Sequence, residues 1–177
     1  MKDLREAENH LSQMKTDPLA WLRQAKHLKT SADVILVAWE SAIKKPIHLM
    51  TTQHEMLSFS KSYMLLTAFA FENLFKGILN GRNSSNTTVT ASGGHGIVQM
   101  AKEITALAPD EIDLFERLQI YLIWAGRYQI PNRPQTFLDE SNNVKIRKDD
   151  PPRIDRLFEH FNVILDTEHS DRERMKV

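Results

Sequence analysis

The chain has 177 residues, which is enough for one domain with a single apolar core. Lysine plus arginine and aspartate plus glutamate both number 23, so the net charge gives no general attraction to nucleic acid or to anionic membranes. The absence of cysteine excludes disulfides, thiolate metal sites and a cysteine nucleophile. Charges recur through the N-terminal residues, and the most apolar stretch contains Glu72 and Lys76, so we expect a cytoplasmic protein with no membrane partner.

The first part of the chain carries clear helix signals. Residues 1–16 have apolar side chains at helical spacing and are predicted to form a short helix or to fray. Asp17 and Pro18 have the pattern of an N-cap followed by a first-turn proline, and apolar residues then recur at three- and four-residue steps as far as Ile43. We predict a long amphipathic helix over residues 18–45, ended by Pro46, and a connector over residues 46–56.

The stretch from Tyr63 to Leu79 is apolar on most sides of a helix. Its polar residues fall in one arc of about a third of the circumference, and they are Lys61, Ser62, Glu72, Asn73, Lys76 and Asn80. Such a helix has to be covered on most of its surface. We therefore predict that it is the central helix of a bundle, with its polar stripe facing solvent, a partner subunit or a site.

The second half of the chain alternates helical patterns with irregular segments. The low-complexity residues 82–94 predict a mobile loop, and helices are predicted over residues 95–107 and from Pro109 to Gly126. Residues 127–150 predict a long loop, Pro151 and Pro152 open a last helix, and residues 167–177 predict a disordered tail. Together these elements predict one all-α domain over residues 1–177, an up-and-down helical bundle of four to five helices.

Glu72 and Lys76 are four residues apart, and this pair allows two interpretations. A surface ion pair of this spacing contributes about 0.5 kcal/mol. Alternatively, because Leu65 and Phe69 share the same face, the carboxylate is covered and needs a cation, for which Arg127 is the candidate. The histidines and carboxylates lack metal-ligand spacing, and neither a phosphate loop nor a dinucleotide fingerprint is present, so we predict no metal and no cofactor.

Three blocks of the sequence resemble bacterial HEPN-like proteins, and they read YMLLTAFAFENLFKGIL, GGHGIVQMAKEI and LFERLQIYLIWAGRYQIP. In that family a Glu-x-x-x-Lys helix, a His-Asp-Leu-like helix start and a Trp-Ala-Gly-Arg-Tyr-Pro-like segment recur. The match covers residues 57–131. The resemblance implies a helical bundle, frequent dimerisation, and activities from metal-independent RNA cleavage in toxin and phage-defence systems to plain binding or antitoxin roles.

Two departures from the family pattern bear on activity. Cleaving members of the family place a histidine shortly after the arginine, whereas Arg127 is followed by a segment without histidine. In addition, Gln129 and Ile130 separate Tyr128 from Pro131. The first departure and the near-zero net charge favour a binding or interaction module over a nuclease.

The resemblance also suggests which residues form a site beside the central helix. In the nuclease alternative, His95 moves protons, Arg127 stabilises the phosphorane charge and Glu72 orients one of them. In the binding interpretation, Lys76, Asn73 and Tyr128 contact RNA, a nucleotide or a partner protein, and the chain forms a homodimer. A structural bundle without a site is the third alternative, and it requires Glu72 and Lys76 to be fully exposed.

Overall fold

The fold is described from a computed structural model, which covers residues 2–46, 50–82, 96–128, 133–140 and 143–175. The seven α-helices of these residues are α1 (Lys2–Thr16), α2 (Pro18–Ala42), α3 (Met50–Arg82), α4 (Ile97–Ile104), α5 (Pro109–Ile120), α6 (Pro134–Glu140) and α7 (Asp150–Met175). A π-helical segment, Tyr121–Ala125, follows α5 directly. No β-strand occurs in the described ranges. The all-α prediction is confirmed, although the helices outnumber the four to five predicted.

α2 begins as its sequence predicts. The Asp17 side chain accepts a hydrogen bond from the backbone N–H of Leu19 at 2.9 Å, and Pro18 occupies the first helical position. α2 packs antiparallel to α3, since Lys45 pairs with Glu55 at one end and Trp21 lies against Gly77 at the other. In the described ranges, no helix is long and apolar enough to cross a membrane.

α3 is the central helix, as predicted, and it packs against α2, α4, α5, the π-helical segment and α7. The prediction of a connector over residues 46–56 is wrong, because α3 already begins at Met50; residues 47–49 lie outside the described residues. These N-terminal turns lack an apolar period of their own. They are helical because they pack against the C-terminal half of α2, and tertiary packing supplies most helical stability in proteins.

The core is centred on the rings of four phenylalanines from three helices. Phe71 and Phe75 of α3 meet Phe115 of α5 and Phe161 of α7, with ring centroids between 4.7 and 6.5 Å apart. Most of these pairs are edge-to-face, which is a favourable arrangement for aromatic rings. The contacts tie α3, α5 and α7 together along the middle of α3.

α7 runs parallel to α3 and is longer than predicted. The tail over residues 167–177 is not a disordered segment where it is described, since α7 continues to Met175. Arg82 at the end of α3 pairs with Glu168 at 2.7 Å, and Glu168 also pairs with Arg172 one turn later. The ion pair between α3 and α7, together with the pair within α7, accounts for order in a segment that has no apolar stripe.

Two predictions for the second half of the chain differ from the structure. α6 lies inside the predicted loop 127–150, where the Trp124 indole N–H donates to the Glu140 carboxylate at 2.6 Å and ties this helix to the π-helical segment. α4 is shorter than the predicted helix 95–107. The predicted loop 82–94 falls outside the described residues except for Arg82, which belongs to α3.

Candidate functional site

The predicted site residues lie in two groups on or beside α3. Glu72, Asn73 and Lys76 are on α3, and Arg127 and Tyr128 follow the π-helical segment. His95, the predicted proton carrier, lies outside the described residues.

Glu72 and Lys76 form a covered ion pair. The Lys76 Nζ donates to Glu72 Oε1 at 2.8 Å, and the two side chains are 17% and 5% exposed. The Lys76 ammonium also lies 5.5 Å from the centre of the Trp21 ring, a cation–π arrangement. The interpretation as a surface ion pair is therefore wrong, and in the described part of the chain the carboxylate pairs with Lys76 and not with Arg127.

Asn73 is held by its own helix. Its side-chain N–H donates to the Phe69 backbone carbonyl at 2.7 Å, one turn earlier in α3. Such bonds are a usual way for asparagine to be accommodated inside a helix. Asn73 is half-buried and follows Glu72 directly in α3.

The end of the π-helical segment that follows α5 packs unusually closely on α3. The Gly126 N–H donates to the Tyr121 carbonyl at 3.1 Å, five residues back, which is the π-helical bond. A Cβ placed on Gly126 would lie 2.8 Å from Leu65 Cδ1. Only glycine fits this contact without a shift. π-Helical turns of this kind occur frequently at functional sites.

Arg127 and Tyr128 are both exposed at the end of this segment. The Arg127 guanidinium donates to the Ile123 carbonyl at 2.9 Å and lies 5.7 Å from the centre of the Tyr128 ring. Tyr128 is 54% exposed. Because α5 runs antiparallel to α3 and Gly126 contacts Leu65, the end of the π-helical segment lies beside the middle of α3.

The two groups of predicted site residues therefore share one side of α3 but lie apart along it. Glu72 follows Leu65 by seven residues, which is about 10 Å along a helix axis. Arg127 and Tyr128 directly follow the contact of Gly126 with Leu65 and supply a cation and an aromatic ring there. Their roles in a site stay predictions.

A groove on α3 was not anticipated from the sequence. It has a volume of about 390 Å³, and its described lining is Gln53, His54, Leu57, Ser58 and Lys61. Gln53 and His54 fall in the segment predicted as a connector, so no helix face in common with Lys61 was predicted for them. Once α3 is extended, steps of three and four residues place His54, Ser58, Lys61, Leu65, Phe69, Glu72 and Lys76 within an arc of about 80°.

A buried charge network was also missed. The Arg117 guanidinium contacts both carboxylate oxygens of Asp150, at 2.6 and 2.7 Å, and the two side chains are 2% and 0% exposed. Burial by itself would lower the pKa of Arg117, but the hydrogen bonds that Arg117 donates to Asp150 and Asp113 outweigh it and raise this pKa. Burial also raises the pKa of the neighbouring Tyr121 to about 12, so its phenol stays protonated at neutral pH. The fixed bidentate geometry indicates a structural role for this network.

Comparisons with protein-family models, with curated proteins and with solved structures find no match for this chain. In the part of the chain that the structure describes, no three histidine, aspartate or glutamate side chains are grouped as metal ligands.

Proposed function

We propose that this chain is a HEPN-like binding module of a toxin–antitoxin or phage-defence type system, with its long helices arranged as an up-and-down bundle. Its ligand is RNA or a nucleotide, bound without cleavage beside α3. Arg127 and Tyr128 make the primary contacts, with Lys76 and Asn73 further along the same side of the helix.

The observation that carries this proposal is the exposed pair of Arg127 and Tyr128 at the end of the π-helical segment. A guanidinium binds phosphate through charge-assisted hydrogen bonds, and a half-exposed tyrosine ring offers a face on which a base stacks. The neighbouring backbone is fixed by the contact of Gly126 with Leu65. A cation and an aromatic ring that are held next to each other on fixed backbone suit the binding of RNA or of a nucleotide.

Arg127 supports binding in preference to catalysis. Its guanidinium donates to the Ile123 backbone carbonyl of its own segment, whereas the nuclease alternative uses it to stabilise the phosphorane charge. The Glu72 carboxylate is buried and pairs with Lys76 at 2.8 Å. The exposure that would favour a bundle without a site is not observed, because Glu72 is 4% exposed.

A homodimer is part of the proposal. α1 carries three large apolar side chains at helical spacing that are largely exposed: Leu4 is 70%, Leu11 55% and Met14 47% exposed. A stripe of this kind on an amphipathic helix favours a protein contact. Sedimentation velocity of the purified chain tests this point, and a dimer that dissociates in a Leu11→Glu variant is the expected result.

Equilibrium binding tests the proposed function. Fluorescence anisotropy with labelled single-stranded RNA, and with a labelled nucleotide, would compare the wild type with Arg127→Ala, Tyr128→Ala and the control Arg156→Ala, which removes an exposed arginine of α7. We expect the first two variants to weaken binding on the order of tenfold and the control to leave it unchanged. Equal affinity in all four proteins would contradict the proposal.

A further inference from the structure

The first turns of α3 project beyond the helices that cover the rest of it. α7 begins about two helical turns before Phe158, whose ring meets Phe71 of α3 with centroids 5.8 Å apart, so the first turn of α7 lies beside Tyr63. The π-helical segment that follows α5 ends beside Leu65. Residues 50–62 of α3 therefore extend past the ends of α5 and α7 and are flanked by the C-terminal half of α2.

The core-facing stripe of α3 is uncovered on this projection. Leu57 shares a helix face with Met64, Ala68 and Phe71, which follow it by whole numbers of turns. The three later side chains are fully buried, whereas Leu57 is 58% exposed. Leu57 lies in the groove of about 390 Å³, and all of the described lining of this groove belongs to α3. An apolar position on the core face of a helix that no described element covers indicates a contact with another protein surface.

α1 has an uncovered stripe of its own. Every α1 residue whose burial is described is exposed, and Leu4, Ala7, Leu11 and Met14 lie along one face. A helix of 15 residues is marginal in water unless its apolar face is packed. The stripe is about 15 Å long, and the groove over residues 53–61 is about 12 Å long. α1 therefore needs a cover of the length that the groove offers.

The α1 helix of the same chain does not reach this groove. Lys45 of the α2 end pairs with Glu55, and this antiparallel register places the groove beside residues 38–46 of α2. α1 joins α2 at Pro18, about 30 Å from the nearer end of the groove. Folded back along α2, its 15 residues would extend only about 22 Å. An α1 helix that fills the groove therefore comes from a second copy of the chain.

The charges of the two surfaces are complementary. The described lining of the groove contains His54 and the half-buried Lys61 and no carboxylate. Glu8 is exposed on α1, four residues after Leu4 and three before Leu11, so it borders the apolar stripe. A carboxylate at this position suits the ammonium of the groove, and such pairing fixes the register of an interface.

We infer that α1 of one copy lies in the groove on α3 of a second copy, with Leu11 against Leu57 and Glu8 beside Lys61. The contact is reciprocal, so two copies fill both grooves and close a two-fold dimer. The inference rests on the homodimer of the proposed function and adds the surface that receives α1.

Disulfide cross-linking between single-cysteine variants tests the placement of α1. The chain has no cysteine of its own, so only the introduced thiols react. Leu11→Cys is mixed with Leu57→Cys, left to exchange subunits and oxidised. Leu11→Cys mixed with Val163→Cys is the matched control, because Val163 is 51% exposed on α7 and lies far from the groove along the bundle. We expect a cross-linked dimer in the first mixture and only monomer in the control.

A charge exchange tests the register independently. Glu8→Lys and Lys61→Glu each place like charges at the contact, and sedimentation velocity should show association weakened on the order of tenfold for either variant alone. In a mixture of the two variants, opposite charges meet in both grooves, so association should recover towards that of the wild type. Glu8→Lys mixed with Lys102→Glu, which changes an exposed lysine of α4, should show no recovery.

Three outcomes overturn the inference. Leu11→Cys that cross-links to itself in preference to Leu57→Cys would place α1 against α1, and the homodimer of the proposed function would stand. Equal association of the charge variants alone and mixed would show that Glu8 does not meet Lys61. A wild type that sediments as a monomer would remove the homodimer as well, whereas RNA binding by Arg127 is measured separately by anisotropy.

Discussion

Gly126 lies against Leu65 so closely that a Cβ on the glycine would be 2.8 Å from Leu65 Cδ1 and 2.8 Å from the Tyr121 carbonyl oxygen. The second contact is to backbone, which cannot move without opening the π-helical segment. This relationship fixes where Arg127 and Tyr128 leave the bundle.

Gly126→Ala is therefore expected to destabilise the protein by about 1–3 kcal/mol and to weaken ligand binding at Arg127. Gly96→Ala is the matched control, because a Cβ on Gly96 would lie 4.0 Å from Gln99 Cβ, an ordinary contact distance. Urea unfolding followed by circular dichroism measures both variants. Equal stability of the two alanine variants would contradict the close packing of the segment on α3.

The Glu72 and Lys76 pair is expected to couple more strongly than an exposed pair. A double-mutant cycle with Glu72→Gln and Lys76→Met should give a coupling energy of about 1–3 kcal/mol, because the pair is covered and hydrogen-bonded. Lys45 and Glu55, whose side chains are 50% and 41% exposed, provide the comparison and should couple by about 0.2–1 kcal/mol. Similar coupling in the two cycles would show that the first pair is as well solvated as the second.

The buried pair of Arg117 and Asp150 is expected to hold the start of α7 against α5. Asp150→Ala leaves the guanidinium buried without its bidentate partner, which should cost about 3–5 kcal/mol in the free energy of unfolding. Asp166→Ala, at an exposed position of the same helix, is the control and should change little. A loss below 1 kcal/mol for Asp150→Ala would indicate that the network contributes little to the fold.

Asp113 gives the protein a pH dependence in the acid range. Burial by itself would raise the pKa of Asp113, but hydrogen bonds from Arg147 and Arg117 outweigh it and lower this pKa below its ordinary value. A carboxyl group with a lowered folded-state pKa adds stability above its unfolded pKa of about 3.9, and this stability is lost as the pH falls through the folded-state value.

Asp113→Asn should therefore destabilise the protein at pH 7 and have a progressively smaller effect as the pH falls below about 4. Urea midpoints measured from pH 7 to pH 2.5 follow the difference between the variant and the wild type. Asp166→Asn supplies the baseline for an exposed carboxylate. A difference that stays constant over this range would rule out the assigned linkage.

The sequence alone predicted the helices whose signals come from neighbouring residues. Asp17 and Pro18 located the start of α2, and the apolar run around Phe71 identified the central helix. Each of these predictions depends on residues within a few turns of one another.

The elements that the sequence did not predict depend on contacts between distant residues. The first turns of α3 are helical because they pack on α2, and the end of α7 is ordered by Arg82 from another helix. The Trp21 ring of α2 lies 5.5 Å from the Lys76 ammonium, a contact that no spacing along α3 reveals. The groove at Lys61 was missed for the same reason, because it requires a helix that the local pattern did not show.

Incubation of the purified protein with a mixed structured RNA in EDTA is the most direct test of a binding module against a nuclease. Arg127→Ala and His95→Ala, purified identically, are the controls. We expect the wild type to bind the RNA without cleaving it and Arg127→Ala to bind less of it. Cleavage by the wild type that is lost in either variant would contradict the proposed binding function and establish a metal-independent nuclease.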